Sequence, residues 1–226
     1  MSRKFLVIGV FLLVGSVALL LFQLATTSQP NQDLTTESPP AEPLITHAQV
    51  TDQCQVEVSI GLTTILLPTS FDPTVAKCDK YTVSKVSPSG TFVAFEDLSA
   101  SGVDAVVSLY DLNNNRVFTL DDYGSESVLD MLFLPNNRLL VLYSQGISGK
   151  QNLRLYDTPA LEPLLKDVPV DGDLSSETLN PFVFERNLDD AKGIAKSLRL
   201  TGDAVVLVDE QDDITNPIFS INLSEL

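Results

Sequence analysis

The sequence of 226 residues has one histidine, two cysteines and no tryptophan. Histidine-dependent nucleophilic catalysis needs a histidine beside the nucleophile, and the only one, His47, adjoins a segment that lacks core-forming residues. A His-Glu-x-x-His zinc site needs two histidines, and neither a Walker phosphate loop nor a Gly-x-Ser-x-Gly elbow occurs. We therefore predict no catalytic residues, no cofactor and a protein that is not an enzyme.

Basic residues are also scarce, because 14 lysines and arginines accompany 30 aspartates and glutamates, for a net charge of −16. Arg3 and Lys4 precede a long apolar run, so the rest of the chain carries 12 − 30 = −18. Such a body repels phosphate backbones, which excludes nucleic acid as a partner. The acidic residues are typical of a solvated surface, and capture of a cationic ligand is the alternative.

The long hydrophobic run occupies residues 5–22 and contains no charged side chain. As a helix it spans about 27 Å, close to the hydrocarbon thickness of a bilayer. Because the next basic residue after Arg3 and Lys4 is Lys77, the positive-inside rule keeps the N-terminus in the cytoplasm. The pattern predicts a cytoplasmic tip at residues 1–4 and a transmembrane signal anchor at residues 5–25.

This anchor makes the membrane a partner and places the body outside the cytoplasm, in an extracellular or periplasmic compartment. The alternative is a cleaved signal peptide, which leaves the body secreted. Residues 26–46 are rich in threonine, serine and proline and have few large apolar side chains. This composition predicts an extended stalk, followed by a folded extracytoplasmic domain at residues 47–226.

The two cysteines, Cys54 and Cys78, lie in the predicted exported domain. An even number of cysteines in an exported body predicts a disulfide bond between them, which stabilises by about 3 kcal/mol in the chain-entropy model. Between them, Val56, Val58 and Ile60 alternate with polar residues and are followed by a Thr-Ile-Leu-Leu run. This pattern predicts a pair of β-strands.

The domain contains a repeated pattern of strands and turns. Residues 86–90 form a turn before the apolar strand 91–96, and strand 107–111 is joined to strand 116–120 by an asparagine-rich turn. Residues 133–137 align with 86–90 at an offset of 47. Further copies of the pattern lie at residues 153–157, 198–203, 204–208 and 218–222.

A period of 40–50 residues with four strands per unit is typical of β-propeller blades. The turn and the strand ends of these units resemble the blades of TolB-like periplasmic propellers over residues 81–226, at Ser87-Pro88-Ser89-Gly90, Tyr110-Asp111 and Tyr156-Asp157. The resemblance implies an all-β fold of antiparallel four-stranded blades in a small or incomplete propeller. A β-sandwich is the alternative fold, and the absence of a Trp-Asp dipeptide excludes a WD40 assignment.

Some acidic residues are candidates for a structural calcium site, because calcium prefers oxygen ligands. The candidate ligands are Asp171, Asp173 and Glu177, and a second oxygen-rich group is formed by Asp209, Glu210, Asp212 and Asp213. Neither group has the spacing of an EF-hand loop. We predict that the domain binds or scaffolds another protein, or associates with itself. The alternatives are an accessory subunit that completes a larger propeller or envelope complex, and an extracytoplasmic hydrolase that uses paired carboxylates.

Overall fold

The computed structural model describes residues 44–69, 74, 84–98, 105–121, 126–145, 149–161, 163 and 181–226. All of these belong to one folded unit, Pro43–Leu226. The predicted tip at 1–4, the anchor at 5–25 and nearly all of the stalk lie outside the described residues. Across the described part of the chain, no helix has the length and hydropathy that a bilayer crossing requires.

The described residues form four antiparallel sheets in chain order, which we name A to D. Sheet A contains β1 (Ile45–Val50), β2 (Val56–Ile60) and β3 (Thr63–Leu66). Sheet B contains β4 (Ser84–Val86), β5 (Phe92–Leu98), β6 (Ala105–Asp111) and β7 (Arg116–Asp121). Sheet C contains β8 (Glu126–Phe133), β9 (Leu139–Gln145), β10 (Lys150–Tyr156) and β11 (Phe182–Asn187). Sheet D contains β12 (Ser197–Thr201), β13 (Ala204–Val208) and β14 (Phe219–Asn222).

Every sheet is a meander, in which each strand pairs with the strand that follows it. The fold is therefore all-β, and its three- and four-stranded sheets are blade-like, as the repeat predicts. The predicted strand pair after Cys54 is confirmed, because β2 and β3 pair from Glu57↔Leu66 to Ile60↔Thr63. Strand β1 begins at Ile45, inside the range assigned to the stalk.

The sheets pack face to face in three apolar layers. Alternate residues of one strand point to opposite faces, so β5 contributes Val93 and Phe95 to the A–B layer and Phe92 and Ala94 to the B–C layer. In sheet C, Val141 faces sheet B whereas the adjacent Leu142 faces sheet D. The central strands of sheets B and C are apolar at nearly every position because both of their faces are covered. A two-sheet sandwich contains only one such layer.

The end sheets A and D each pack one face in an apolar layer and carry mostly polar residues on the other face. The outer face of sheet A carries His47, Gln49, Glu57, Ser59, Thr64 and Leu66, as the strand registers show. The outer face of sheet D carries Ser197, Arg199, Thr201, Ser220 and Asn222 beside Ala204, Val206 and Val208, of which the two valines are buried. Among the described residues, no apolar cluster joins sheet D back to sheet A. Polar outer faces are what a stack of repeats needs at its ends.

The turns that follow the first strands of sheets B and C match, because each has five residues and the fourth is left-handed. The corresponding turn in sheet D has only two residues, Gly202 and Asp203. Gly90, Asn137 and Gly202 all have positive φ, at 71°, 63° and 57°. Gly90 and Asn137 are 47 residues apart, which is the offset at which residues 86–90 and 133–137 align. Glycine and asparagine are the residues that adopt this left-handed conformation at least cost, so these positions confirm the internal repeat.

Residues 187–196, whose sequence is also compatible with a short helix, form no helix in the structure. Asn187 is the last residue of β11, and residues 188–196 form a turn beside sheet C. The side-chain amide of Gln151 holds this turn through both its oxygen and its nitrogen. The Gln151 side chain donates to the Ala195 carbonyl at 2.7 Å and accepts from the Ala195 N–H at 2.8 Å. The side chain therefore takes the place of a neighbouring strand, and a tertiary contact overrides the local helical pattern.

Replacing Gly90 with alanine is expected to cost about 2 kcal/mol or more of unfolding free energy. Its φ is +71°, and an added Cβ lies 3.1 Å from the Leu44 Cβ and 3.2 Å from the Ile45 carbonyl oxygen. Gly61→Ala is the matched control, because φ is +59° there but nothing lies within 4 Å of the added Cβ. We expect only the backbone cost of about 1 kcal/mol at Gly61, measured by urea denaturation. Equal costs at the two sites would contradict the close packing of Leu44 on this turn.

Candidate functional site

The first strands of sheets B, C and D are β4, β8 and β12, and β8 contacts both of the others. Asp130 lies in β8 between apolar residues, just after a β-bulge between Val128 and Asp130. Bulges re-aim the side chains that follow them. The side chain of Asp130 is only 8% exposed, so its carboxylate needs several partners.

The partners of this carboxylate come from three sheets. One oxygen, Oδ2, accepts the backbone N–H of Leu198 in sheet D at 2.9 Å. The other, Oδ1, lies 3.1 Å from the Nζ atom of Lys85 in sheet B. Arg199 of sheet D places Nη1 at 3.6 Å from Oδ2 and its Nε at 3.0 Å from Asp212. We call these four charged residues, Lys85, Asp130, Arg199 and Asp212, the Asp130 cluster.

The Asp130 cluster joins sheets and is poorly arranged for chemistry on a ligand. Both carboxylate oxygens already contact donors. Oδ2 accepts the Leu198 N–H, and Oδ1 accepts the Met131 N–H at 2.9 Å in addition to its contact with Lys85. A general base or a metal ligand needs a lone pair directed at a reacting group. The geometry therefore favours a structural role, in which one buried anion holds the first strands of three consecutive sheets together.

A second buried charge, Arg154, faces the B–C layer. Its guanidinium carbon lies 4.6 Å from the centroid of the Tyr143 ring, which is a cation–π distance. Its Nε lies 3.4 Å from Glu185 of β11, and the Asn152 amide donates to the same carboxylate at 2.5 Å. These contacts tie the outermost strand β11 to its sheet.

The loop at residues 209–213 holds four carboxylates in five residues, and each has a local partner. Asp212 pairs with Arg199, and Glu210 lies 3.7 Å from Lys196. Asp209 accepts the N–H of Gln211 at 2.8 Å. Among the described residues, no three histidine, cysteine, aspartate or glutamate side chains form a group that could hold a metal ion.

Asp213 accepts hydrogen bonds from both the hydroxyl and the N–H of Thr215. These bonds hold the pKa of the Asp213 carboxyl below its ordinary value. A carboxylate of this kind adds stability above its unfolded pKa, and the contribution is lost as the pH falls through the lower folded pKa. The loop is therefore held by its ionised form.

The structure describes only some of the residues predicted from sequence as sites, namely Cys54 and the acidic residues of loop 209–213. Asp171, Asp173 and Glu177, the candidate calcium ligands, lie outside the described residues, and so does Cys78. Cys54 is buried in the turn between β1 and β2. The bond between Cys54 and Cys78 therefore stays a prediction.

Sequence reasoning did not find Asp130 or Arg154. The available signal was a single charge inside an otherwise apolar strand, as in Val-Leu-Asp-Met-Leu and Leu-Arg-Leu. Charged residues are seldom fully buried unless they are paired, so such a position predicts a buried ion pair. The identity of the partner depends on the fold.

The chain matches no family model and no curated protein. Among solved structures it is similar to the β-propeller domain of the Trilobed protease from Pyrococcus furiosus, which has an open velcro topology. The two are 11% identical with a TM-score of 0.44, and the match covers 76% of this chain. The chain spans 46% of the length of that structure. The fold described above rests on the sheets of this chain alone.

Proposed function

We propose that the chain is a membrane-anchored, extracytoplasmic, propeller-like domain that acts as a protein-binding or scaffolding module. The observation that supports this function most is the use of the buried charges. Asp130 and Arg154 hold sheets and strands together, which gives a rigid body whose loops and outer faces remain for contact. Binding residues are commonly carried by loops on such a support.

Four parts of this proposal rest on the sequence. They are the anchor at residues 5–25, the stalk at 26–46, the Cys54–Cys78 bond and the TolB-like type of blade. The apolar run before the acidic body supports the anchor, because an uncharged run of this length is sufficient to span a bilayer as a helix.

The charge of the body favours a cationic partner surface. After the apolar run the chain carries −18, and the exposed loop 209–213 holds four carboxylates. A surface of one sign steers an oppositely charged partner and accelerates encounter at low salt. Loop 209–213 is therefore the contact region that we would test first.

Affinity capture from native membranes with the full-length chain tests the proposal. We expect a triple variant, Asp209→Asn with Glu210→Gln and Asp213→Asn, to lose most of the captured partner at low salt. Asp203→Asn, an exposed carboxylate in a turn at the other end of sheet D, is the control and should retain it. Identical capture by the unmodified chain, the triple variant and Asp203→Asn would contradict the role of the loop.

An accessory subunit is the second candidate function, and one observation favours it. Sheets A and D have three described strands, whereas sheets B and C have four. A strand from another chain could complete an end sheet by β-augmentation. Light scattering of the detergent-solubilised full-length chain tests whether a second copy of the chain supplies that strand. A monomer at all concentrations would exclude completion by a second copy.

A further inference from the structure

One end of sheet A exposes two leucines. Ile45 pairs with Ile60, so Leu44 lies beside the turn at residues 61–62 that joins β2 to β3. Leu44 is 48% exposed and Leu62 is 108% exposed, as open to water as in an extended chain. The Ile45 N–H donates to the Gly90 carbonyl at 2.8 Å, which brings the turn at 87–91 to the same end. We call Leu44 and residues 61–62 and 87–91 the Leu62 end.

The Leu62 end is unusually poor in charge for this protein. Residues 44–51 and 58–69 contain no aspartate, glutamate, lysine or arginine, although the chain has 30 acidic residues. Turn 87–91 is also uncharged. A neutral surface with exposed leucines avoids the repulsion that an acidic body meets at a membrane.

The acidic loop lies at the opposite end of the stack. The Ser89 N–H donates to the Asn137 side chain at 3.0 Å, which joins the first turns of sheets B and C. Arg138 donates to the Leu226 carbonyl, and the Leu223 N–H donates to that of Asp203, so the first turn of sheet D shares this end. Loop 209–213 follows Val208, at the other end of β13.

We infer that the Leu62 end docks on the neutral surface of a lipid bilayer through Leu44 and Leu62. Isolated exposed leucines are ordinary on protein surfaces, but these two lie together in an uncharged patch of sheets A and B. Elsewhere the same end of the stack carries Arg138, Asp157 and Asp203. That end is also where the preceding residues 1–43 are covalently attached. The inference rests on the proposed anchor, which keeps the body at high local concentration beside the bilayer, so that a weak contact is sufficient. The acidic loop then points away from the membrane.

Tryptophan fluorescence tests this docking, because the chain has no tryptophan of its own. The full-length chain carrying Leu62→Trp is reconstituted into phosphatidylcholine vesicles with and without brominated acyl chains. We expect brominated lipid to remove about half of its emission, as for a side chain at the headgroup boundary. The matched control is Ile214→Trp, which is 50% exposed in the turn after the acidic loop and should keep its emission.

A second variant separates specific docking from the affinity of tryptophan for interfaces. Adding Leu44→Asp to Leu62→Trp should restore most of the emission, because a carboxylate is expelled from the interface. The docking would be overturned if brominated lipid quenched Leu62→Trp and Ile214→Trp equally, or if it quenched neither variant. Shielding of Leu62→Trp from aqueous iodide without quenching by lipid would assign the Leu62 end to a protein contact instead. A chain that fails to sediment with the vesicles would overturn the anchor as well, so the two failures are distinguishable.

Discussion

Replacing Phe95 with alanine is expected to lower the free energy of unfolding by about 3–5 kcal/mol. Phe95 is completely buried in the A–B layer, where it packs with Val56, Val58 and Tyr110. The substitution removes the aromatic contacts and leaves a cavity, because the surrounding strands cannot collapse fully. Urea denaturation of the folded chain measures the loss.

The position of the cavity determines which part of the protein opens first. Sheet A contacts only sheet B through an apolar layer of the described residues, and stacked repeats are stabilised mainly by their nearest neighbours. Hydrogen exchange in Phe95→Ala should therefore accelerate first in β1, β2 and β3, while sheets C and D stay protected.

Phe92→Ala is the matched control for this prediction. Phe92 is on the same strand and equally buried, but it faces the B–C layer. Its loss weakens the middle of the stack, so we expect exchange to accelerate in sheets B and C as well. Identical exchange patterns in the two variants, or a cost below about 1 kcal/mol for Phe95→Ala, would contradict the layered arrangement.

Replacing Asp130 with alanine is expected to cost about 3 kcal/mol of stability. The substitution removes a charge-assisted acceptor and leaves the buried Leu198 N–H without its partner, and each of these losses is typically worth 1–3 kcal/mol. Its ion pairs add less, because Lys85 and Arg199 are 38% and 40% exposed and water screens them. Chemical denaturation at neutral pH provides the measurement.

Two further variants identify which contact matters. Asp130→Asn keeps an oxygen for the Leu198 N–H and loses the charge, so it should cost roughly half as much as alanine. Lys85→Met should cost no more than about 1 kcal/mol. If Lys85→Met is as damaging as Asp130→Ala, then the ion pair dominates and the hydrogen bond to sheet D does not.

Much of the fold could be predicted from the pattern of the sequence. Alternating apolar residues placed β2 and β3 after Cys54, and the offset of 47 between Gly90 and Asn137 identified equivalent turns. These features are local, because the alternation of side chains in a strand and the left-handed residue of a turn each depend on a few adjacent positions. They are therefore readable without knowing what packs against them.

The Asp130 cluster could not be predicted in this way. Its hydrogen-bond partner Leu198 lies 68 residues further along the chain, and Lys85 precedes it by 130 − 85 = 45 residues. No spacing rule connects such positions, because the sheets are brought together only when three apolar layers form. The turn at 188–196 could not be predicted for the same reason, because the Gln151 contact with Ala195 that holds it spans 44 residues.

The polar outer faces of sheets A and D have a consequence for how the gene can change. A duplication that added a fifth unit beyond sheet D would cover Arg199 and Thr201 with a new neighbour, and these side chains would lose their water. Such an insertion requires compensating replacements on the old boundary before it becomes tolerable. Repetition inside the array, next to the doubly covered sheets B and C, meets apolar surfaces on both sides and needs fewer changes. We therefore expect an additional repeat to be tolerated better between sheets B and C than at either end of the array.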